Sequence, residues 1–198
     1  MLERLASEIG VERSIVLVAD LTSDRELRSV ASEILRRQGR VDMLVHSNGI
    51  HLSAPLESAP VEDFDRLWLA NVRAPFLLTQ ELLPALRKSS GQIVFVNSSV
   101  GLAAGAGVGQ FSATQFALRA VADTLRAEVN DQGIRVLTVY PGRTASERQE
   151  QIFQSEGRTY EPARLLQPAD IATTLVASLA LPRSAEVTDV RIRSMLKP

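Results

Sequence analysis

Four short apolar runs limit what this chain can become: "SIVLVAD" at 14–20, "VDMLVHS" at 41–47, "QIVFVNS" at 92–98 and "IRVLTVYP" at 134–141. Each is rich in β-branched residues and bounded by turn formers, the pattern of a strand buried on both faces of a parallel sheet. Helical periodicity fills the spaces between them. In "TSDRELRSVASEILRRQG", Ser23 and Glu26 have capping-box spacing, Leu27, Val30, Ala31, Ile34 and Leu35 form one stripe, and Gly39 is placed to stop the helix. From Val61 to Arg87 the buried side is expected to carry Phe64, Leu67, Trp68, Val72, Phe76 and Leu77, with a kink at Pro75. A further amphipathic helix runs through "GVGQFSATQFALRAVADTLRAEV" at 107–129. The polar stretch that follows Pro141, to about Pro168, reads as a mobile loop with a short helix, "PADIATTLVASLAL" as a helix opened by Pro168, and "EVTDVRIRS" as a final strand.

Strands alternating with helices imply right-handed crossovers and an α/β fold, a doubly wound, mostly parallel sheet with helices on both faces. Functional residues in such a sheet gather at the carboxyl ends of the strands. Here that means Asp20, His46 to Gly49, Ser98 and Ser99, and Tyr140 to Thr144. At 198 residues and 45% hydrophobic the chain can bury one core, so a single domain over 1–198 is expected. With 22 basic and 23 acidic residues spread evenly, it lacks the electrostatic footprint of a nucleic-acid or anionic-membrane binder. No apolar run is long enough to span a bilayer, and the charged, helical start "MLERLASEIGVERS" is unlike a signal sequence, so a cytoplasmic location is expected. The absence of Cys and the presence of only His46 and His51 argue against disulfides, thiolate chemistry and a Cys- or His-rich metal site.

Several motifs at the strand ends resemble, in order, those of the short-chain dehydrogenase/reductase family in its single-domain, Rossmann-like form. "ADLT" resembles the strand end whose acidic residue contacts the adenine of the cofactor, here Asp20 with Leu21. "HSNGI" stands where the family has Asn-Asn-Ala-Gly: Gly49 matches, while His46, Ser47 and Asn48 depart. "LANVRAPF" carries Asn71 at the family's helix asparagine, which supports a proton-relay water. "VNSSVGL" carries the catalytic serine; counting back from the tyrosine position points to Ser98, whereas the Ser-Ser context points to Ser99. "YPGRT" matches the turn that flanks the nicotinamide, here Pro141, Gly142 and Thr144. The resemblance implies NAD or NADP as cofactor, a small alcohol or carbonyl substrate, and a homodimer or tetramer built through the helices Val61 to Arg87 and Gly109 to Asn130.

Two departures bear on the chemistry. Aligning "FSATQ" on the family's Tyr-x-x-x-Lys puts Phe111 at the tyrosine and Gln115 at the lysine. In the family the phenol is the general acid or base on the substrate oxygen, and the lysine lowers its pKa from about 10 and holds the cofactor ribose. Phe111 retains the ring without the proton, and Gln115 has no charge to offer. The second departure is at the front, where nothing matches the glycine-rich turn that holds the cofactor pyrophosphate on a helix N-terminus. The run at 14–20 then corresponds to the family's third strand, the chain reads as truncated, and the gap beside it is expected to close by pairing with the run at 41–47 or to be filled by a second subunit. Two readings of function follow: a non-catalytic pseudoenzyme acting as a binding or dimerisation module, and an active NAD(P)-dependent oxidoreductase seen as a truncated or engineered chain. Tyr140 is a weak candidate for the missing phenol, because strand tyrosines usually serve packing.

Overall fold

The protein is described by a computed structural model that covers residues 2–10 and 12–196. Seven α-helices and four strands are present among them: α1 (Leu2–Ile9), α2 (Asp24–Gln38), β1 (Met43–His46), α3 (Val61–Trp68), α4 (Ala74–Ser89), β2 (Gln92–Val96), α5 (Gly109–Val129), β3 (Arg135–Pro141), α6 (Glu147–Ser155), α7 (Pro168–Leu179) and β4 (Asp189–Ile192). Helix α2 begins as its cap predicts, with Ser23 Oγ accepting from the Glu26 N–H at 3.4 Å. The Glu26 carboxylate reaches past the cap to the Asp20 N–H instead of closing the box. At the other end Gly39 takes a left-handed φ of 67°, which a side chain would resist.

All four strands are parallel and pair in chain order, β1-β2-β3-β4. Alternation sends Leu44, Ile93, Phe95 and Val136 to one face, where Ala31, Leu82, Leu86, Leu118 and Ala122 of α2, α4 and α5 cover them. Val94, Leu137 and Val139 go to the other, under Ile171, Leu175 and Leu179 of α7. The doubly wound expectation therefore holds. Arg135 fastens α7 to the sheet, its guanidinium donating to the carbonyls of Leu179, Leu181 and Ala185 at 3.0, 3.1 and 2.9 Å. No helix among the described residues is long and apolar enough to cross a membrane.

The run at 14–20 does not join the sheet. It is extended, but it is assigned to no strand, and Ile15, Val16 and Val18 stand exposed, Val18 by 82%. A β-branched run reports a preference for a pleated, covered setting, and it becomes a strand only where a neighbour accepts its backbone. The β1 edge does not, so direct closure of the gap is overturned. On β1 itself, Leu44 and His46 are buried while Met43 and Val45 remain 45% exposed, so α7 covers that face of the sheet over β2 and β3 but not over β1.

The long helical segment departs from expectation in a second place. The irregularity is a π turn at Leu69–Arg73, just before α4, and Pro75 sits in the first turn of α4. Pro75 has no N–H for the carbonyl one turn back, and a wider turn there accommodates that loss without a sharp kink. The extra residue also shifts the helical phase. Leu67, Val72 and Leu77 are buried as expected, whereas Phe64, Trp68 and Phe76 are 36%, 45% and 51% exposed.

Candidate functional site

The carboxyl ends of β1, β2 and β3 meet the π turn, the first turns of α5 and helix α6. Asn71, 2% exposed in the middle of the π turn, ties the first of these together. Its Oδ1 accepts from the Ile50 N–H at 2.8 Å and its Nδ2 donates to the Ile50 carbonyl at 3.0 Å, a two-point clamp on one backbone unit. The same Nδ2 lies 3.3 Å from Thr114 Oγ1 on α5. Asn48 adds a bond from its amide to the Ala70 carbonyl at 2.9 Å. Gly49 lies between them because a Cβ there would stand 3.0 Å from Asn71 Oδ1, and its φ is +156°. The turn 48–51 is thus pinned to the π turn at three points.

A second asparagine, which the sequence reading passed over, does similar work at the end of β2. Asn97 is 7% exposed, donates to the Gln115 carbonyl at 3.0 Å and accepts from the Ser98 N–H at 2.7 Å. Gly101 fits against it, since a Cβ at that position would fall 2.5 Å from Asn97 Oδ1. Ser98 caps the short 3-10 turn Ser99–Gly101, its Oγ accepting from the Val100 N–H at 3.4 Å. Both serines are half-buried at the strand end, beside the start of α5.

Phe111 and Gln115 occupy the first turns of α5, with Gln115 only 5% exposed. The ring of Phe111 meets the imidazole of His51 edge to face, centroids 4.8 Å apart. His51 was not among the expected site residues, and its nearness to Phe111 had no signal in spacing along the chain. Burial holds its pKa below the usual histidine value, helped by the positive charges of Arg148 and Arg143 and opposed by Glu156. Those charges come from α6 and the segments flanking it. Arg143 grips Glu156 through two bonds of 2.8 and 2.6 Å, and the guanidiniums of Arg143 and Arg158 each lie 4.9 Å from the centre of the buried Phe153 ring. Arg148 reaches across to donate to the Gly49 carbonyl at 2.6 Å.

The remaining expected residues are distributed unevenly. His46 faces inward, 4% exposed, stacked on Phe95 with centroids 4.9 Å apart and with Nε2 2.7 Å from Thr79 Oγ1. It packs between β1 and α4 and is not turned to the strand-end cleft. Asp20 is exposed, accepting from the N–H and hydroxyl of Thr22, bonds that hold its carboxyl below the usual range. Leu21 packs against Leu27, Ala74 and Leu77, and Ser47 is exposed. Pro141 ends β3 opposite Ile192, the Gly142 N–H donates to the Ile192 carbonyl at 2.8 Å, and the Thr144 hydroxyl turns back to the Gly142 carbonyl at 3.0 Å. Tyr140 cannot supply the missing acid: it is buried under the sheet, and that burial, with Asp189 nearby, pushes its phenol up to about 12. Among the described residues no three His, Cys, Asp or Glu side chains gather to hold a metal.

In a comparison against known families, the description "short chain dehydrogenase" matches residues 1–157. The chain belongs to the short-chain dehydrogenase family. It is 30% identical over 182 residues to L-fucose dehydrogenase of Mus musculus, covering 86% of this chain and 67% of that protein. It is 25% identical to the sepiapterin reductase of Chlorobaculum tepidum, covering 97% of this chain and 78% of that one. Among solved structures, a short chain dehydrogenase of Salmonella enterica serovar Typhi superposes with a TM-score of 0.84 at 30% identity, over 96% of this chain and 80% of its own. An Escherichia coli CFT073 protein of the same description, complexed with NADPH, superposes equally well at 29% identity, over 96% and 80%.

The lineage is therefore that of NAD(P)-dependent oxidoreductases, and the residues here fit such a cofactor at one end only. Pro141, Gly142 and Thr144 form the turn at the carboxyl end of β3, where the resemblance would place the nicotinamide. At the phosphate end the described residues present the bare β1 edge and the unpaired run at 14–20, with no glycine-rich turn opening a helix beside them.

Proposed function

We propose that this chain, in the form described, is a dehydrogenase-family scaffold that binds a small alcohol or carbonyl compound at the β1–β2–β3 strand ends and has lost the family's ordinary turnover. The supporting observation is the pair Phe111 and Gln115 in the first turns of α5: a ring without a hydroxyl and a buried amide without a charge. General acid–base catalysis is worth roughly 10²–10⁴-fold, and a phenol needs a cation beside it to work near neutral pH. Tyr140 does not replace the phenol, because it is buried in β3. Titrating the purified protein with NADH and NADPH, following nucleotide fluorescence and the thermal midpoint, tests this directly. The expected result is no saturation at millimolar nucleotide and no turnover. Restoring both groups in Phe111→Tyr/Gln115→Lys is expected to leave activity of the 198-residue chain far below that of a working family member, because its described residues offer the cofactor phosphates no glycine-rich turn. Robust turnover by the double variant, or by the unmodified chain, would favour the reading of this protein as an active oxidoreductase.

The second part of the proposal is that the scaffold dimerises through α4 and α5. These helices flank a groove of about 490 Å³ lined by Phe76, Thr79, Leu83, Val121 and Thr124. Phe76 is 51% and Phe116 41% exposed, an apolar surface that a monomer would leave in water. Light scattering is expected to give at least twice the 21.6 kDa chain mass, with Phe76→Glu shifting the population to monomer. A monodisperse monomer of the unmodified protein overturns it.

A further inference from the structure

The cleft above Phe111 holds an arrangement that the family motifs do not account for. His51 and Arg148 both address the turn 48–51 from different directions: His51 is part of it, and the Arg148 guanidinium is bonded to its Gly49 carbonyl at 2.6 Å. The turn is held fixed by the Asn71 clamp on Ile50, so the imidazole is carried on a fixed backbone, to which the guanidinium of α6 is bonded. The other cations at this end are already engaged, Arg143 and Arg158 both with Glu156. Arg148 has no carboxylate within ion-pair distance among the described residues, and a single carbonyl occupies one of its five N–H donors. A guanidinium with spare donors in a fork favours a carboxylate or another planar anion over a neutral group. Beside it, His51 offers a ring nitrogen to a hydroxyl or carbonyl oxygen, against the apolar wall of Phe111.

We infer that the cleft selects small carboxylic acids bearing a hydroxyl or oxo group, with the carboxylate on Arg148 and the oxygen function on His51. This rests on the reading above that the cleft binds an alcohol or carbonyl compound, and it adds the charge of that compound. Arg148 is exposed and makes no core contact, so Arg148→Gln leaves the fold intact and tests the charge alone.

The protein has only two histidines, and His46 is buried away from the cleft, so the ring protons of His51 give a clean NMR signal whose assignment His51→Phe confirms. Titrations without nucleotide would use 3-hydroxybutyrate, its amide and 2-butanol. The expected result is a saturable shift of the His51 resonance with the acid, binding at least about tenfold weaker for the amide, and a similar loss for the acid in Arg148→Gln. Equal binding of acid and amide, or undiminished binding of the acid to Arg148→Gln, overturns the inference while leaving the binding cleft in place. Absence of binding by all three compounds overturns both the inference and the reading on which it rests.

Discussion

Bringing the protein from pH 7 to pH 4 is expected to remove about 3 kcal/mol of stability through His46 alone. Burial lowers the pKa of this imidazole from 6.5 to about 4 in the folded state. In the unfolded chain the ring takes up a proton near pH 6.5, whereas in the folded chain it stays neutral until about pH 4. Over that interval the unfolded state binds more protons, so stability is complete above pH 6.5, falls as the pH drops, and levels off below 4. About 2.5 pH units at 1.36 kcal/mol each give the figure. The cause is local: the ring lies between Phe95 and Thr79 with no carboxylate to stabilise a charge. Urea midpoints at intervals from pH 7 to 4 should show this slope, and His46→Gln, which can still bond to Thr79, should flatten it despite a lower stability at pH 7. His51 is shifted in the same direction, so His51→Gln serves as the control. A slope unchanged in His46→Gln would place the acid sensitivity elsewhere.

Replacing Asn71 by Ala is expected to cost about 3 kcal/mol and to unfasten the cleft. The substitution leaves both the N–H and the carbonyl of Ile50 without their partner and removes the link to Thr114. Orphaned backbone groups in a partly buried setting each cost about 1–3 kcal/mol, eased where water can enter. The loss should be visible twice, as a lower urea midpoint and as a change in the His51 ring signal, since the turn that carries His51 is what Asn71 holds. Asn71→Asp retains the acceptor for the Ile50 N–H and loses the donor to its carbonyl, so it should fall between. A loss below about 0.5 kcal/mol in Asn71→Ala would mean that the turn is held by other contacts.

Much of this molecule could be read from local pattern. Ser23, Gly39 and Pro168 mark helix ends through backbone chemistry that needs no tertiary partner, and all three do so in the fold. The runs at 92–98 and 134–141 became β2 and β3 because neighbours on both edges and helices on both faces were there to receive them. The equally apolar run at 14–20 did not, since pairing is a property of two segments and only one carries the signal. Phe76 was misplaced because it follows the π turn, whose extra residue resets the helical phase and which no side chain announces, whereas Phe64 and Trp68 precede that turn and are exposed on α3. At the site, Asn71 and Gly49 were legible through their motif. His51 and Arg148 were not, because they come together across nearly a hundred residues of chain by a contact to a backbone carbonyl, which has no residue type to search for.

The order β1-β2-β3-β4 has a consequence for how the protein is made. Each strand docks on the one synthesised just before it, so a chain growing from its amino end lays down the sheet rung by rung and never has to insert a late strand between two already joined. No crossover awaits a distant segment except at the start. There, among the described strands, β1 pairs with β2 alone, so its backbone waits for a strand partner until β2 has left the ribosome.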